Sequence, residues 1–301
     1  MALRYHALSA SAPLPPPRDG QWLELAVGSE APLRLPRDWF SLWLPLRGDL
    51  QLQDIDCQWR LRSRQAQMWC SGALSAQGTR DSLWLCLAGS PAAWARHFAS
   101  VPGLREPLAW QHAAPRRLRR QLVQLARALR DAPSFEVAQA CTDHSLATLL
   151  AEQQQAIAAR LPRCRGRNQS HRRQTLLRLL HVRHLVRSHV EADDDSEPAI
   201  DLAWLADRAH YSPGHLIRIH REVFGETPSE YLARLRSARA WRLVRDTAMP
   251  VGEITQVLGF ESQSAFCRAF KHTFGMTATQ ARRIDAASVK ETSIEAAQCA
   301  A

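Results

Sequence analysis

From about Gln21 to Leu87 apolar and polar residues alternate in short runs divided by turn residues. Leu23, Leu25 and Val27 form one run, and Phe40, Leu42, Leu44 and Leu46 another; Leu50 and Leu52, then Leu83, Leu85 and Leu87, follow. A period of two sends successive side chains to opposite faces of a strand, so these runs predict half-buried strands of a small sandwich or barrel. Trp22, Trp39, Trp43, Trp59, Trp69 and Trp84 fall in the same region. Large aromatics suit a pleated surface, and core packing explains them better than a ligand-stacking cage. After Pro115 the period changes: Leu118, Leu122, Leu125 and Leu129 line one helical face opposite Arg116, Arg119, Arg120, Arg127 and Arg130. A second helix is predicted from about Asp143 to Leu161. The leucine stripe fits either packing on its own domain or dimerisation against a partner helix.

The run PRCRGRNQSHRRQ has no apolar periodicity and reads as a basic linker at residues 162–173, either a solvated tether or an extra phosphate-contacting arm. From Gln174 onward the pattern is all helical. A first helix carries Leu176, Leu177, Leu180, Leu185 and Val186 and ends at the acidic loop EADDDSEP, where Pro198 cannot continue it. Two later stretches repeat one pattern fifty residues apart: Ser212 through Phe224-Gly225, and Ser262 through Phe274-Gly275. In each, a Ser able to cap a helix is followed by a large apolar residue (Leu216, Phe266) and then an Arg (Arg218, Arg268), and Phe-Gly stops the helix. A shorter helical pattern with a small central residue, Ala206 or Thr255, precedes each. This is helix-turn-helix patterning, twice, over about 200–224 and 251–274. Between them Thr227, Pro228 and Glu230 supply a cap, a first-turn proline and a capping-box acid, which start a long helix running to about Asp246. At about 1.5 Å per residue such a helix extends roughly 28 Å. Neighbouring major grooves on one face of DNA lie about 34 Å apart, so a connector of this length suits two reading helices in successive grooves.

Charge supports that destination only in part: from Pro162 to Asp285 there are 20 Lys plus Arg against 14 Asp plus Glu. The chain of 301 residues carries a net charge of +10, almost all of it from Arg, since the only lysines are Lys271 and Lys290. Such an excess favours polyanionic partners. No apolar run reaches the roughly 18 residues a bilayer-spanning helix needs, and MALRYHALSASAPLPPP lacks the apolar centre of a secretory signal; a cytoplasmic location and no membrane partner are expected. The seven cysteines are scattered, with no zinc-site spacing, and read as buried hydrophobes. Cys164 is the candidate redox thiol, because Arg163, Arg165 and Arg167 beside it would favour a thiolate. His6, His97, His112 and His144 show no H-x-H spacing, and no nucleophile elbow or phosphate loop occurs. No metal, no cofactor and no catalytic activity are expected.

The segments SPGHLIRIHREVFGETPSEYLARLR and GEITQVLGFESQSAFCRAFKHTFG carry a family resemblance: residues 200–283 resemble the DNA-binding module of AraC/XylS-type bacterial transcription regulators. The N-terminal half is similar, in strand pattern only, to the cupin-like sensing domains of those proteins. The resemblance implies an α+β chain of two domains: a cupin-like barrel or sandwich with helices at 1–161 and, beyond the linker, an all-α domain with two helix-turn-helix motifs at 174–285. A polar tail at 286–301 would follow. It also implies base-edge contacts from Gln263, Ser264 and Arg268, with Cys267 beside them, and from Gly214, Ile217 and Arg218 in the first copy. Arg takes guanine and Gln adenine bidentately, so the second copy should read bases more variedly than the first. Phosphate contacts would come from Ser212, His215, Arg221, Ser262, Lys271 and His272.

The chain departs from the family at His220 (usually aromatic), Ser237 (usually Leu), Thr255 (usually Ala) and Ala278 (usually Pro). The implied partners are double-stranded DNA, RNA polymerase and a small-molecule effector, with a homodimer open. The expected function is a sequence-specific DNA-binding regulator, by resemblance an activator. Control by a protein partner through the N-terminal domain is the alternative, and a barrel enzyme with a DNA-binding appendage the more distant one.

Overall fold

The computed structural model describes residues 3–8, 22–99, 106–131, 136–191 and 200–283, the side chains of 136–145 excepted. Contacts divide the chain into two compact units, Met1–Leu185 with Ile219–Gly225, and Val186–Arg218 with Glu226–Ala301.

The first unit holds ten strands: β1 (Leu3–Ala7), β2 (Leu23–Gly28), β3 (Leu33–Leu35), β4 (Phe40–Arg47), β5 (Leu50–Gln53), β6 (Gln58–Leu61), β7 (Gln65–Trp69), β8 (Leu74–Gly78), β9 (Leu83–Gly89) and β10 (Trp110–Ala113). They form a six-stranded sheet in the order β1-β2-β9-β4-β7-β10 and a four-stranded sheet in the order β3-β8-β5-β6. Helices α1 (Pro91–His97), α2 (Arg116–Asp131) and α3 (Glu136–Ala158) belong to the same unit. The period of two decides which core each side chain joins. Leu42 and Leu44 of β4, with Leu85 and Leu87 of β9, share one core with Trp94 of α1, Leu118, Leu122 and Leu125 of α2, and Leu146 and Leu150 of α3. Trp43, Trp84, Cys86 and Ala88, from the same two strands, enter a second core with Leu50, Leu52, Leu61 and Leu74 of the smaller sheet. Because the sheet is covered on both faces, β4 and β9, expected to be half-buried, are buried on both faces over most of their length.

Five of the six tryptophans of this region, Trp39, Trp43, Trp59, Trp69 and Trp84, are core residues, while Trp22 is half-buried. Trp43 and Trp84 are fully buried 5.8 Å apart, and Trp59 lies 5.1 Å from Trp69. Their indole N–H groups are satisfied: Trp84 donates to Ser29 O at 2.7 Å and Trp59 to Gln67 Oε1 at 2.9 Å, as burial of a polar tip requires.

Several expectations need correcting. Of the two readings of the leucine stripe, the structure has it packing on its own domain, with Leu118, Leu122 and Leu125 buried at 0–1% exposure and Leu129 against the same core. Helix α3 starts at Glu136, ahead of Asp143. Helix α4 (Gln169–Glu191) starts inside the stretch read as a linker, because Asn168 Oδ1 accepts the His171 backbone N–H at 2.9 Å and caps it. The arginines there are partly engaged within the unit: Arg165 pairs with Glu222 at 2.7 Å and Arg173 with Glu106 at 3.2 Å. Cys164 is buried, and burial pushes its thiol up to about 11, which removes the basis for a reactive thiolate. The acidic loop and the polar tail lie outside the described residues, save Glu191.

Among the described residues the second unit is helical: α5 (Leu202–Ala209), the start of α6 (Pro213–Phe224), α7 (Pro228–Asp246), α8 (Val251–Val257), α9 (Gln263–Phe274) and a helical stretch at 278–283. The capping box of α7 forms as its residues predict, Thr227 Oγ1 accepting from Glu230 N–H at 3.2 Å and Glu230 Oε2 from Thr227 N–H at 2.7 Å. No helix among the described residues is long and apolar enough to cross a membrane.

Candidate nucleic-acid interface

The two helix pairs, α5–α6 and α8–α9, are built from one local design. Helix α5 is capped by Asp201, whose Oδ1 accepts from Trp204 N–H at 2.6 Å. It ends in a left-handed residue, His210, at φ 57°, after which Tyr211 N–H returns to Ala206 O at 2.9 Å. Beyond α8, Gly259 at φ 67° does the same, with Phe260 N–H bonded to Thr255 O at 3.0 Å. Ala206 and Thr255, which accept these bonds, are both buried, and small side chains there permit close helix crossing. Thr255 carries an extra hydroxyl relative to Ala, satisfied by donation to Val251 O at 2.7 Å.

The turns then differ by one residue. Ser212 follows Tyr211 directly, whereas Glu261 separates Phe260 from Ser262. Each Ser starts the next helix: Ser212 Oγ accepts from His215 N–H at 3.4 Å and Ser262 Oγ from Ala265 N–H at 3.2 Å. Both helices stop at a glycine with positive φ, Gly225 at 81° and Gly275 at 71°. A side chain would be strained at either place.

Helix α9 has two distinct faces. Phe266 and Phe270 are buried in a core with Ala240 and Val244 of α7, Ile254 of α8, and Ala278 and Ala281. Phe260 meets Phe266 edge-on at 5.4 Å, and Trp241 stacks parallel to Phe270 at 6.0 Å. Ser262, Gln263, Ser264, Arg268, Lys271 and His272 are exposed; Cys267 is half-buried against the core. Neither Arg268 nor Lys271 forms an ion pair among the described residues. In α6 the exposed positions are Gly214, Arg218 and Arg221, with Ser212 just ahead of the helix, while His215 and Ile217 are half-buried. Leu216, Ile219 and Val223 are buried, as is His220, whose ring lies 4.9 Å from Phe224. Arg218 Nη2 donates to His215 Nδ1 at 3.0 Å.

The arginines of α7 are mostly occupied inside the unit. Arg234 makes two hydrogen bonds to the Glu226 carboxylate, at 3.0 and 2.9 Å, which holds its guanidinium above the usual range. Arg239 donates to Val190 O, Arg242 lies 3.8 Å from Glu191, and Arg245 lies over the Trp241 ring. Most of the positive charge on α7 is thus engaged within the unit, whereas Arg268 and Lys271 of α9 stand exposed.

Residues 205–284 match the helix-turn-helix domain family. Over 83 residues the chain is 32% identical to the probable transcription factor PqrA of Proteus vulgaris, 28% of this chain against 68% of PqrA. The chain belongs to the AraC/XylS family of transcription regulators. It is also 31% identical over 81 residues to the probable transcriptional regulator LumQ of Photobacterium leiognathi, and there it spans only 33% of that protein. Among solved structures, the DNA-binding domain of AdpA in complex with a target DNA aligns with 36% of this chain and 94% of that one, at 25% identity and a TM-score of 0.32.

Two features of this AraC/XylS chain escape the sequence reading. His215, assigned to phosphate, is the acceptor that holds Arg218; an i, i+3 pair of polar residues on an exposed helical face was the available signal. Ser237 lines a cavity of about 230 Å³ with Ala240, Phe266, Phe270 and Phe274. Its small size at a position where the family usually has Leu was visible, but the void depends on which helix faces it.

Proposed function

We propose that the protein is a sequence-specific DNA-binding transcription regulator whose two helix pairs act as helix-turn-helix motifs in successive major grooves. The observation that carries this reading is the outer face of α9, where Gln263, Ser264 and Arg268 stand exposed with Lys271 and His272 one turn further on. Gln and Arg supply bidentate donors for base edges, and the last two supply charge for phosphate. On α6, Arg218 is the reading donor, with Gly214 and Ile217 offering close approach and apolar contact. Ser212 and Ser262, at the helix starts, with His215 and Arg221 would position the duplex.

In this reading the domain proper spans 174–285, and the β-rich part at 1–161 is a cupin-like sensing domain through which an effector acts. Activation of transcription through RNA polymerase, in the cytoplasm, completes the proposal. The support for these finer points is the family to which the chain belongs. Selection from random duplexes by the purified chain, followed by sequencing, tests the core of it. An enriched asymmetric site spanning two helical turns is expected; retention of all sequences alike would refute it. Thermal-shift screening with metabolites tests the effector, since a ligand bound only to the folded chain raises the melting temperature.

A further inference from the structure

In the first unit, the turn between β5 and β6 brings two carboxylates against a histidine of α4. Single ligand atoms of Asp54, Asp56 and His181 lie within 4.8 Å of one another. His181 Nε2 is 3.1 Å from Asp56 Oδ2, and the side chains of the two are 13% and 9% exposed. Asp54 Oδ1 accepts the backbone N–H groups of Asp56 and Cys57 at 2.8 and 2.7 Å, which fixes the carboxylate in place. Its other oxygen, Oδ2, is buried and has no hydrogen-bond partner among the described residues. His181 Nδ1 is in the same condition.

Two carboxylates and one imidazole thus meet at this turn, and Asp54 Oδ2 is the carboxylate oxygen left without a donor among the described residues. A buried carboxylate oxygen without a donor is costly, because the hydration it loses is not replaced. A divalent cation would compensate both acids together. The donor set selects among cations: an imidazole nitrogen with two carboxylate oxygens suits zinc-class transition metals, whereas magnesium and calcium prefer oxygen alone. A tetrahedral site with bonds of about 2.1 Å has edges of about 3.4 Å. The His181–Asp56 separation of 3.1 Å already approaches that edge.

The surroundings are of the same chemistry. His184, one helical turn beyond His181, places Nε2 3.9 Å from Cys57 Sγ. Its ring stands edge-on to Trp59 at 4.2 Å and Trp69 at 5.1 Å. Trp69 also stands edge-on to the His181 ring at 6.0 Å, so an apolar side chain borders the cluster. We propose that Asp54, Asp56 and His181 bind one zinc-class divalent cation, which fastens α4 to the β5–β6 turn.

The test uses the full chain without a polyhistidine tag, stripped with chelator and titrated with ZnCl₂ or CoCl₂. Bound metal per chain is counted by mass spectrometry after dialysis, and the visible d–d spectrum of Co²⁺ reports coordination. One ion per chain is expected, with a rise in melting temperature under Zn²⁺ and none under Mg²⁺. The isosteric Asp54→Asn, checked for folding by circular dichroism, should weaken binding at least about tenfold, the loss seen when even an outer partner of a ligand is removed. His181→Ala should do the same. No saturable binding to the wild-type chain would overturn the proposal and leave an ordinary His–Asp pair. One equivalent of metal whose affinity survives Asp54→Asn would place the ion elsewhere and overturn it equally.

Discussion

Arg218 and His215 face one another one turn apart on α6, the guanidinium Nη2 donating to the imidazole Nδ1 across 3.0 Å. The donation requires Nδ1 to be unprotonated, so in this geometry any ring proton sits on Nε2. A side chain held by a neighbour loses less rotamer freedom on binding than one waving in solvent, which would favour the base-reading role proposed for Arg218.

The pair predicts non-additivity. Arg218→Ala should lower affinity for the selected site, and His215→Ala should lower it less. In the Arg218→Ala background, His215→Ala should add little, giving a coupling of roughly 0.5 to 3 kcal/mol in a double-mutant cycle. Strictly additive losses measured by fluorescence anisotropy would show that His215 does not act through Arg218.

Arg268 and Lys271, both exposed on α9, should separate by kind of effect. Arg268→Ala is expected to relax preference at one base pair at a cost of about 1 to 3 kcal/mol. Lys271→Ala should weaken all sequences alike and reduce the salt slope by about one. Binding of both variants to a randomised site library decides it, and uniform loss in both would remove the base-reading assignment of α9.

Filling the void beside Ser237 should stabilise the second unit. Ser237→Leu places an apolar side chain against Ala240, Phe266 and Phe270, which line the cavity of about 230 Å³. Cavity filling commonly yields about 0.5 to 2 kcal/mol. Urea unfolding should show a higher midpoint with an unchanged slope; a lower midpoint would mean that the space is too shallow for the new side chain.

The cysteines should divide by burial. Cys164 and Cys70 are held up to about 11 and about 12, chiefly by burial, so few of their thiols ionise at neutral pH. Cys267 is half-exposed on α9. Alkylation followed by peptide mass spectrometry should modify Cys267 at least about tenfold faster than Cys164, because the thiolate is the reacting form. Specific DNA should then slow Cys267 alone. Equal rates at the two positions would contradict the burial of Cys164.

Much of this was legible because the deciding interactions are local. The Thr227–Glu230 box, Pro228, the two glycine stops and the alternation of apolar with exposed residues each act within one or two turns, so α7, α6 and α9 run where the pattern puts them. Elements whose reasons are not local were missed. Strand β1 pairs in parallel with β2, joining Leu3 to Leu23, and nothing in LRYHA announces that partner. Asn168 was passed over as part of a polar tether, although one side-chain oxygen sufficed to start α4 there.

The sequence by itself determined the helix pairs, their caps and stops, and the two-residue period of the strands, since each follows from hydrogen bonds and side-chain directions within a short segment. Only the tertiary structure decided where the leucine stripe of α2 is spent, which arginines are consumed by Glu226 and Val190, and that Asp56 meets His181 across 125 positions of chain. Partners of that kind are chosen by how whole elements pack, and packing depends on every surface at once, so no local window of residues contains it.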